Sequence, residues 1–298
     1  MNKWQKQRKR HLDNLEKQTE QEMIAYYQVA LKELRGKIAT LYEQTNGDWI
    51  EAQKYNRLSK LEKEIANEIG KLTGKSANSL LKSQRVMYEE SYYSTAYVLS
   101  NTVKADLQFT ALSNELVKKS IENPLDRVGF LQRNKDNQAR LTRQLREELA
   151  QGLIQGESYG KTAKRIKKRM DIGAKKAITI AQTEGHRVRS SGTLASMERG
   201  EKLGIDIKKQ WLSSGDGSTR DSHQELDGVV IDLDEDFEGE NGSGSAPGML
   251  GSASEDINCR CEMIEIVGGF EPNSKLVRGV GVTEYETYNN YKKDGIIF

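Results

Sequence analysis

The chain has 298 residues, of which 36% are hydrophobic and 30% charged, with three prolines and two cysteines. That length is enough for one large or two ordinary domains with a sizeable core, whereas two cysteines exclude a disulfide-dense secreted scaffold, and no run approaches the roughly 18 apolar residues that span a bilayer. The net charge of +2 conceals a division: up to Gln210 there are 40 basic and 26 acidic residues, and from Trp211 onward 6 and 18. Such asymmetry suits a basic part that meets a polyanion, or two halves that face each other.

Met1 to Arg10 carries five basic residues and no acidic one, without the apolar stretch of a signal peptide behind it. The expectation is a soluble protein kept in a reducing compartment, or assembled there into something larger. From Leu12 to about Leu116 the pattern is helical. Met23, Tyr27, Ala30, Leu34, Ile38 and Leu41 recur at three- or four-residue steps, as do Leu58, Leu61, Ile65, Ile69 and Leu72. Asn46-Gly47 breaks the first stretch, and Asp48 with Glu51 reads as a capping box opening the second. Gly74 is the expected C-cap, followed by a third helix from about Asn78 to Ser100. The tyrosines here read as helix-interface residues. A helical arm or bundle over residues 1–120 is the expected product.

After Asn123-Pro124 the character changes. A helix around Gln138 to Gln151 is expected to end near Gly152, and another to begin after Ser158 as N-cap. On the second, Lys161, Lys164, Arg165 and Lys168 fall on one side and Ala163, Ile166 and Met170 on the other. Six basic residues with no acid between Lys161 and Met170 suit salt-sensitive contact with phosphates, and equally a solvated face. A further helix from about Ala174 to Arg199 has a packing side rich in small residues. Thr183 and Glu184 sit at its edge, and Glu184 is expected to pair with Arg187 or Arg220.

Beyond Gly204 the pattern is strand-like: Ile207 to Leu212, Val229 to Leu233 and Cys259 to Val267, with a turn at Gly215-Asp216-Gly217. Asp234 to Gly251 reads as a flexible surface loop, and Glu271 to Phe298 as a tail able to dock like a peptide. On a strand, Cys259 and Cys261 project from one face, and a disulfide between them would be strained. With His223 they offer three zinc-type ligands, the fourth falling to Asp221, Asp216, Glu225 or His186. The competing reading makes them small buried residues and His223 a hydrogen-bonded loop residue.

Taken together, Ala181-Gln182-Thr183-Glu184, Trp211, Gly215 to His223, Leu226-Asp227-Gly228, Pro247 and Asn258-Cys259-Arg260-Cys261 resemble the phage head morphogenesis family, the minor head proteins typified by the F protein of phage Mu. The resemblance covers roughly residues 125–267 and departs at Gln182, where the family often has arginine. It implies an α+β fold, with a helical lead-in before a small α+β domain with a short sheet, and a division into 1–120, 121–270 and a tail 271–298. Thr183, Glu184, Trp211, Asp216, Arg220, Asp221, Gly228 and Asn258 are its structural motif residues.

The resemblance further implies a virion component inside the phage head near the portal, present in the host cytoplasm during assembly. Its expected partners are the portal protein, a scaffold or major capsid protein and double-stranded DNA, with no membrane segment. Its expected roles are head assembly and DNA packaging or delivery, without enzymatic activity; the basic helix face itself adds the expectation of nonspecific DNA contact through Lys161, Lys164, Arg165 and Lys168. Apart from a structural zinc on His223, Cys259 and Cys261, no cofactor is expected. The competing class is a zinc-dependent nucleic-acid-modifying enzyme, deaminase-like through His223-Gln224-Glu225 or a nuclease through Asp216, Asp221 and His223. The C-x-C spacing, the missing proline before it and the acidic segment between the elements argue against that class.

Overall fold

The computed structural model describes residues 1–105, 107–122 and 129–268, together with the backbone of 275–277 and 281–283. The fold is α+β. Its helices are α1 (Lys3–Thr45), α2 (Trp49–Gln53), α3 (Arg57–Val103), α4 (Asn114–Glu122), α5 (Phe130–Ile154), α6 (Tyr159–Lys202), α7 (Asp221–Glu225) and α8 (Ala253–Asp256). The strands are β1 (Ile207–Leu212), β2 (Val230–Asp232), β3 (Phe237–Gly239), β4 (Gly242–Gly244), β5 (Glu262–Val267), β6 (Lys275–Val277) and β7 (Gly281–Thr283). No described helix is long and apolar enough to cross a membrane. Beyond the backbone pairing of β6 with β7, the expected docking tail lies outside the described residues.

The chain forms two compact units that interleave in sequence. One, the helical unit, comprises Gln18–Leu81 and Gly129–Ala181; the other, the mixed unit, comprises Met1–Lys17, Lys82–Val128 and Gln182–Phe298. In the helical unit the periodic residues of the sequence become the core. Leu34, Ile38 and Leu41 of α1 meet Leu61, Ile65 and Ile69 of α3, Leu141, Leu145 and Leu149 of α5, and Ile166 and Met170 of α6. Each such leucine contributes roughly 1.5–3 kcal/mol by leaving water. Two buried polar contacts fix the register: Asn137 Nδ2 donates to Tyr27 Oη and to the Gly173 carbonyl, both at 3.3 Å, and Tyr42 Oη lies 2.7 Å from Thr162 Oγ1.

The first helix break falls where expected. α1 stops at Thr45, Asn46 and Gly47 take positive φ, and the Asp48 carboxylate accepts the Glu51 N–H at 2.8 Å. Two other expected breaks are absent. α3 runs through Gly74 without a cap, joining the second and third expected helices, and α6 joins the two expected on either side of residues 171–173. The apolar stripes continue across both positions, and Gly173 brings α6 against Leu141 and Tyr27, where a Cβ would meet Leu141 Cδ2 at 2.9 Å. Packing therefore outweighs the roughly 1 kcal/mol that a glycine costs inside a helix.

In the mixed unit an antiparallel sheet, ordered β2-β1-β5, sets Trp211 opposite Met263 and Lys209 opposite Ile231 and Glu265. Trp211, Phe237, Leu250, Met263 and Leu99 belong to its core. The segment 234–251, expected to be a flexible loop, instead folds as the β3-β4 hairpin, with Phe237, Ala246 and Leu250 buried. Its glycines serve close approach rather than mobility: a Cβ on Gly244 would stand 1.9 Å from the Met249 carbonyl oxygen.

Charges from the basic and acidic halves meet inside this unit. Buried Arg8 binds Glu265 at 2.7 Å, Lys9 binds Glu262 at 2.7 Å, and Arg189 grips Glu262 at 2.8 Å through both carboxylate oxygens while also reaching Asp13 and Glu16. Burial pushes the Glu262 carboxyl up, but Arg189 and Lys9 outweigh it and hold the group down at about 2. Buried pairs of this kind fix register more than they add net stability.

Candidate functional site

The motif residues picked out in the sequence assemble around Trp211, which is fully buried and makes T-shaped contacts with His223 and Phe237, each at 5.2 Å between centroids. β1 leads from Trp211 into the loop that starts α7. Gly228, at φ +83°, then returns the chain so that its N–H donates to the Trp211 carbonyl at 2.9 Å; an L side chain is strained there. Asp216 organises the loop, accepting the Ser218 N–H at 3.1 Å and pairing with Arg260 at 2.5 and 2.9 Å. Hydrogen bonds from Arg260, helped by the Ser218 N–H, hold its carboxyl below the ordinary range. The pair is exposed, so it orients the loop more than it stabilises it. Arg220 donates to the Ile257 carbonyl at 2.5 Å.

Asn258 adopts φ +58°, and its N–H donates to Thr183 Oγ1 of α6 at 3.3 Å. Glu184 pairs with Arg187, the nearer of its two expected partners, at 3.1 Å, with both side chains buried. Arg187 also donates to the Ser120 and Ile121 carbonyls, satisfying acceptors at the end of α4. Asp221 opens α7 and is exposed.

These supports carry Cys259 and Cys261 to His223. The cysteines lie just ahead of β5 rather than on a strand, because Asn258 turns left-handed and the Cys259 N–H is held by the Asp256 carbonyl at 3.2 Å. Cys261 Sγ is 3.4 Å and Cys259 Sγ 3.7 Å from His223 Nδ1, and all three residues are buried. Both thiols are free, and the three ligand atoms lie within 4.8 Å of one another. The other ring nitrogen, Nε2, is 2.9 Å from Glu255 Oε2.

Glu255 also accepts from Ser222 Oγ at 3.1 Å, from the Asn241 N–H at 3.2 Å and from Asn241 Nδ2 at 3.1 Å. Burial raises its carboxyl, but these hydrogen bonds outweigh burial and hold it below its usual value. The thiols split in opposite directions. A hydrogen bond from Cys259 holds Cys261 below the ordinary thiol range, aided by His223, and the same bond, with burial, pushes Cys259 up.

None of the four residues considered for a fourth ligand joins the cluster among the described residues. Asp216 is engaged by Arg260, Asp221 and Glu225 are exposed, and His186 is buried against Gly248 with its Nε2 unpartnered. The carboxylate that touches His223 is thus Glu255, on the ring edge away from the sulfurs, and not Glu225 of the His-x-Glu pattern. Sequence reasoning missed Glu255, Arg189 and the buried Lys209, whose ammonium donates to the Leu233 and Ser245 carbonyls, each at 3.0 Å. Their positions in charged stretches gave no signal of burial.

The basic face of α6 lies in the helical unit. Arg165 is bound to Glu148 at 2.5 Å and to Glu157 at 3.3 Å, Lys161 to Glu157 at 3.4 Å, Arg169 to Glu148 at 2.6 Å and Lys167 to Asp171 at 2.7 Å. Lys164 and Lys168 are exposed and make no ion pair among the described residues, as does Lys175 further along the same face.

Residues 143–264 match the family model described as Phage Mu protein F like protein. The chain is similar to the Minor head protein GP7 of Bacillus phage SPP1, at 33% identity over 95% of this chain and 95% of that protein. It is also similar to the NAD(+)-arginine ADP-ribosyltransferase EFV of Enterococcus faecalis, at 29% identity over 99% of this chain but only 61% of that protein. No solved structure matches.

Proposed function

We propose, from the premise that this chain belongs to the Phage Mu protein F like family of minor head proteins, that it is built into the phage head at the portal and acts in packaging or delivering DNA. The observation that carries this reading is the end-to-end likeness to a minor head protein, which spans the helices as well as the region that matches the family model. The two compact units suit a division of labour. The mixed unit, with its acidic second half, faces protein partners such as the portal, and the helical unit offers DNA a row of cations.

Contact through that row is nonspecific, because exposed ammonium groups recognise phosphates and not base edges. Lys164 and Lys168 make the contact, joined by Lys175, whereas Arg165 is committed to Glu148 and Glu157. Lys161 lies at the edge of the row and is shared with Glu157. The likeness to an ADP-ribosyltransferase does not favour an enzymatic reading. About two fifths of that protein lies beyond this chain's match, and we assign the transfer chemistry of its name to that remainder.

Quantitative mass spectrometry of heads assembled with and without the portal protein tests the proposal. The chain should be incorporated only where the portal is present; equal incorporation without it refutes portal attachment.

A further inference from the structure

We propose that His223, Cys259 and Cys261 bind one zinc ion that locks the α7 loop to the segment ahead of β5. This inference goes beyond the head-protein reading and does not rest on it. Glu255 Oε2 lies 2.9 Å from Nε2, and a neutral ring that donates to it there presents a lone pair at Nδ1. Two sulfurs converge on that one atom, at 3.4 and 3.7 Å. A single lone pair accepts from one thiol, and without a metal the second sulfur is held by the hydrogen bond between Cys259 and Cys261.

A cation between the three atoms takes one lone pair from each of them. With Zn–S near 2.3 Å, Zn–N near 2.05 Å and a tetrahedral angle, the S···N separation is roughly 3.6 Å, a value that the two observed distances bracket. Two thiolates and a neutral imidazole balance the charge of Zn²⁺, the thiol protons leaving to solvent. Such soft donors select zinc over magnesium or calcium. The described residues supply three ligands, so a water molecule completes the tetrahedron.

Glu255 is the positioning residue: held by Ser222 and Asn241, it fixes the ring orientation through Nε2. Its carboxylate sits on the ring edge away from the sulfurs, and no carboxylate joins the three ligand atoms among the described residues. The surrounding anchors aim the ligands in the same way. Trp211 packs its ring against His223, and Thr183 and Asp256 hold the backbone on either side of Asn258.

The test measures metal in the full-length chain after purification and dialysis, by inductively coupled plasma mass spectrometry, and then replaces the ion with Co²⁺. About one zinc per chain is expected, with a thiolate-to-cobalt charge-transfer band and the intense visible bands of a tetrahedral ion. Cys261→Ser should abolish the charge-transfer intensity contributed by that sulfur and His186→Asn should leave stoichiometry intact, while Glu255→Gln should weaken zinc binding about 10–100-fold. Because a ligand variant can fail to fold, the unsubstituted chain decides the matter. If that chain is folded by circular dichroism yet retains no zinc in micromolar zinc buffer, or if its cobalt form lacks thiolate bands, the proposal is overturned. Loss of the metal from a folded His186→Asn variant would overturn the ligand set.

Discussion

Replacing Lys164, Lys168 and Lys175 together by alanine probes DNA contact without disturbing the core. All three side chains are exposed and form no ion pair among the described residues. On a helix of 3.6 residues per turn they fall within about 40° of one another, over an axial span of about 16 Å. If each neutralises one phosphate, removing three lowers the slope of log K against log salt by about 2.7. At 0.15 M salt the same relation lowers affinity for double-stranded DNA by about two orders of magnitude, or about 3 kcal/mol. Fluorescence anisotropy with a duplex of arbitrary sequence, titrated at several salt concentrations, measures both quantities. A variant with an unaltered melting temperature and an unaltered salt slope would refute the reasoning and make the row an ordinary solvated face.

Arg165→Ala should act differently, costing about 1–2 kcal/mol in thermal or urea unfolding because, among the described residues, the largely buried Glu148 and Glu157 keep only Arg169 and Lys161 as partners, with little change in the salt slope. Gly192→Ala places a Cβ 2.6 Å from the Tyr88 carbonyl oxygen and should destabilise by about 1–3 kcal/mol, whereas Gly74→Ala meets open space inside α3 and should stabilise by about 0.5–1 kcal/mol; urea melts that rank the two the other way contradict the packing described. Burial of His186 holds its pKa at about 4 against an ordinary 6.5. The unfolded chain therefore binds the extra proton first. This contribution is complete above pH 6.5 and is lost as pH falls towards 4, by as much as about 3 kcal/mol. A His186→Gln variant should show a flatter stability profile over that interval, and an unchanged profile would remove His186 as the cause.

The helices and their inward faces were legible because repeated three- and four-residue spacing is itself the geometry of burial: Leu34, Ile38, Leu61, Ile65 and Ile69 all became core. Helix ends were less legible. Gly74 and the 171–173 region look like breaks, but long helices absorb a glycine when neighbouring turns are packed. The hairpin over 237–244 was hidden for the opposite reason, since glycines that admit close backbone approach look in sequence like glycines that confer freedom. Nor does composition reveal compact units assembled from interleaved segments, because the helices shared between them contain no linker.

At the site, His223, Cys259 and Cys261 stood out by residue type, and so did the Glu184–Arg187 pair by spacing. Glu255 did not. One acid among the 18 after Gln210 has nothing in its local sequence to mark it as the group that fixes an imidazole. The ion pairs of Arg8 with Glu265 and Arg189 with Glu262 join residues far apart in the chain, and only the folded mixed unit brings them together.

The most direct measurement is an asymmetric cryo-EM reconstruction of purified heads, focused on the portal vertex, with mass spectrometry of the same particles. Density for this chain in a few copies beside the portal, with the lysine face of α6 towards the DNA, is the predicted result. Heads that are complete, filled with DNA and devoid of this chain would contradict it.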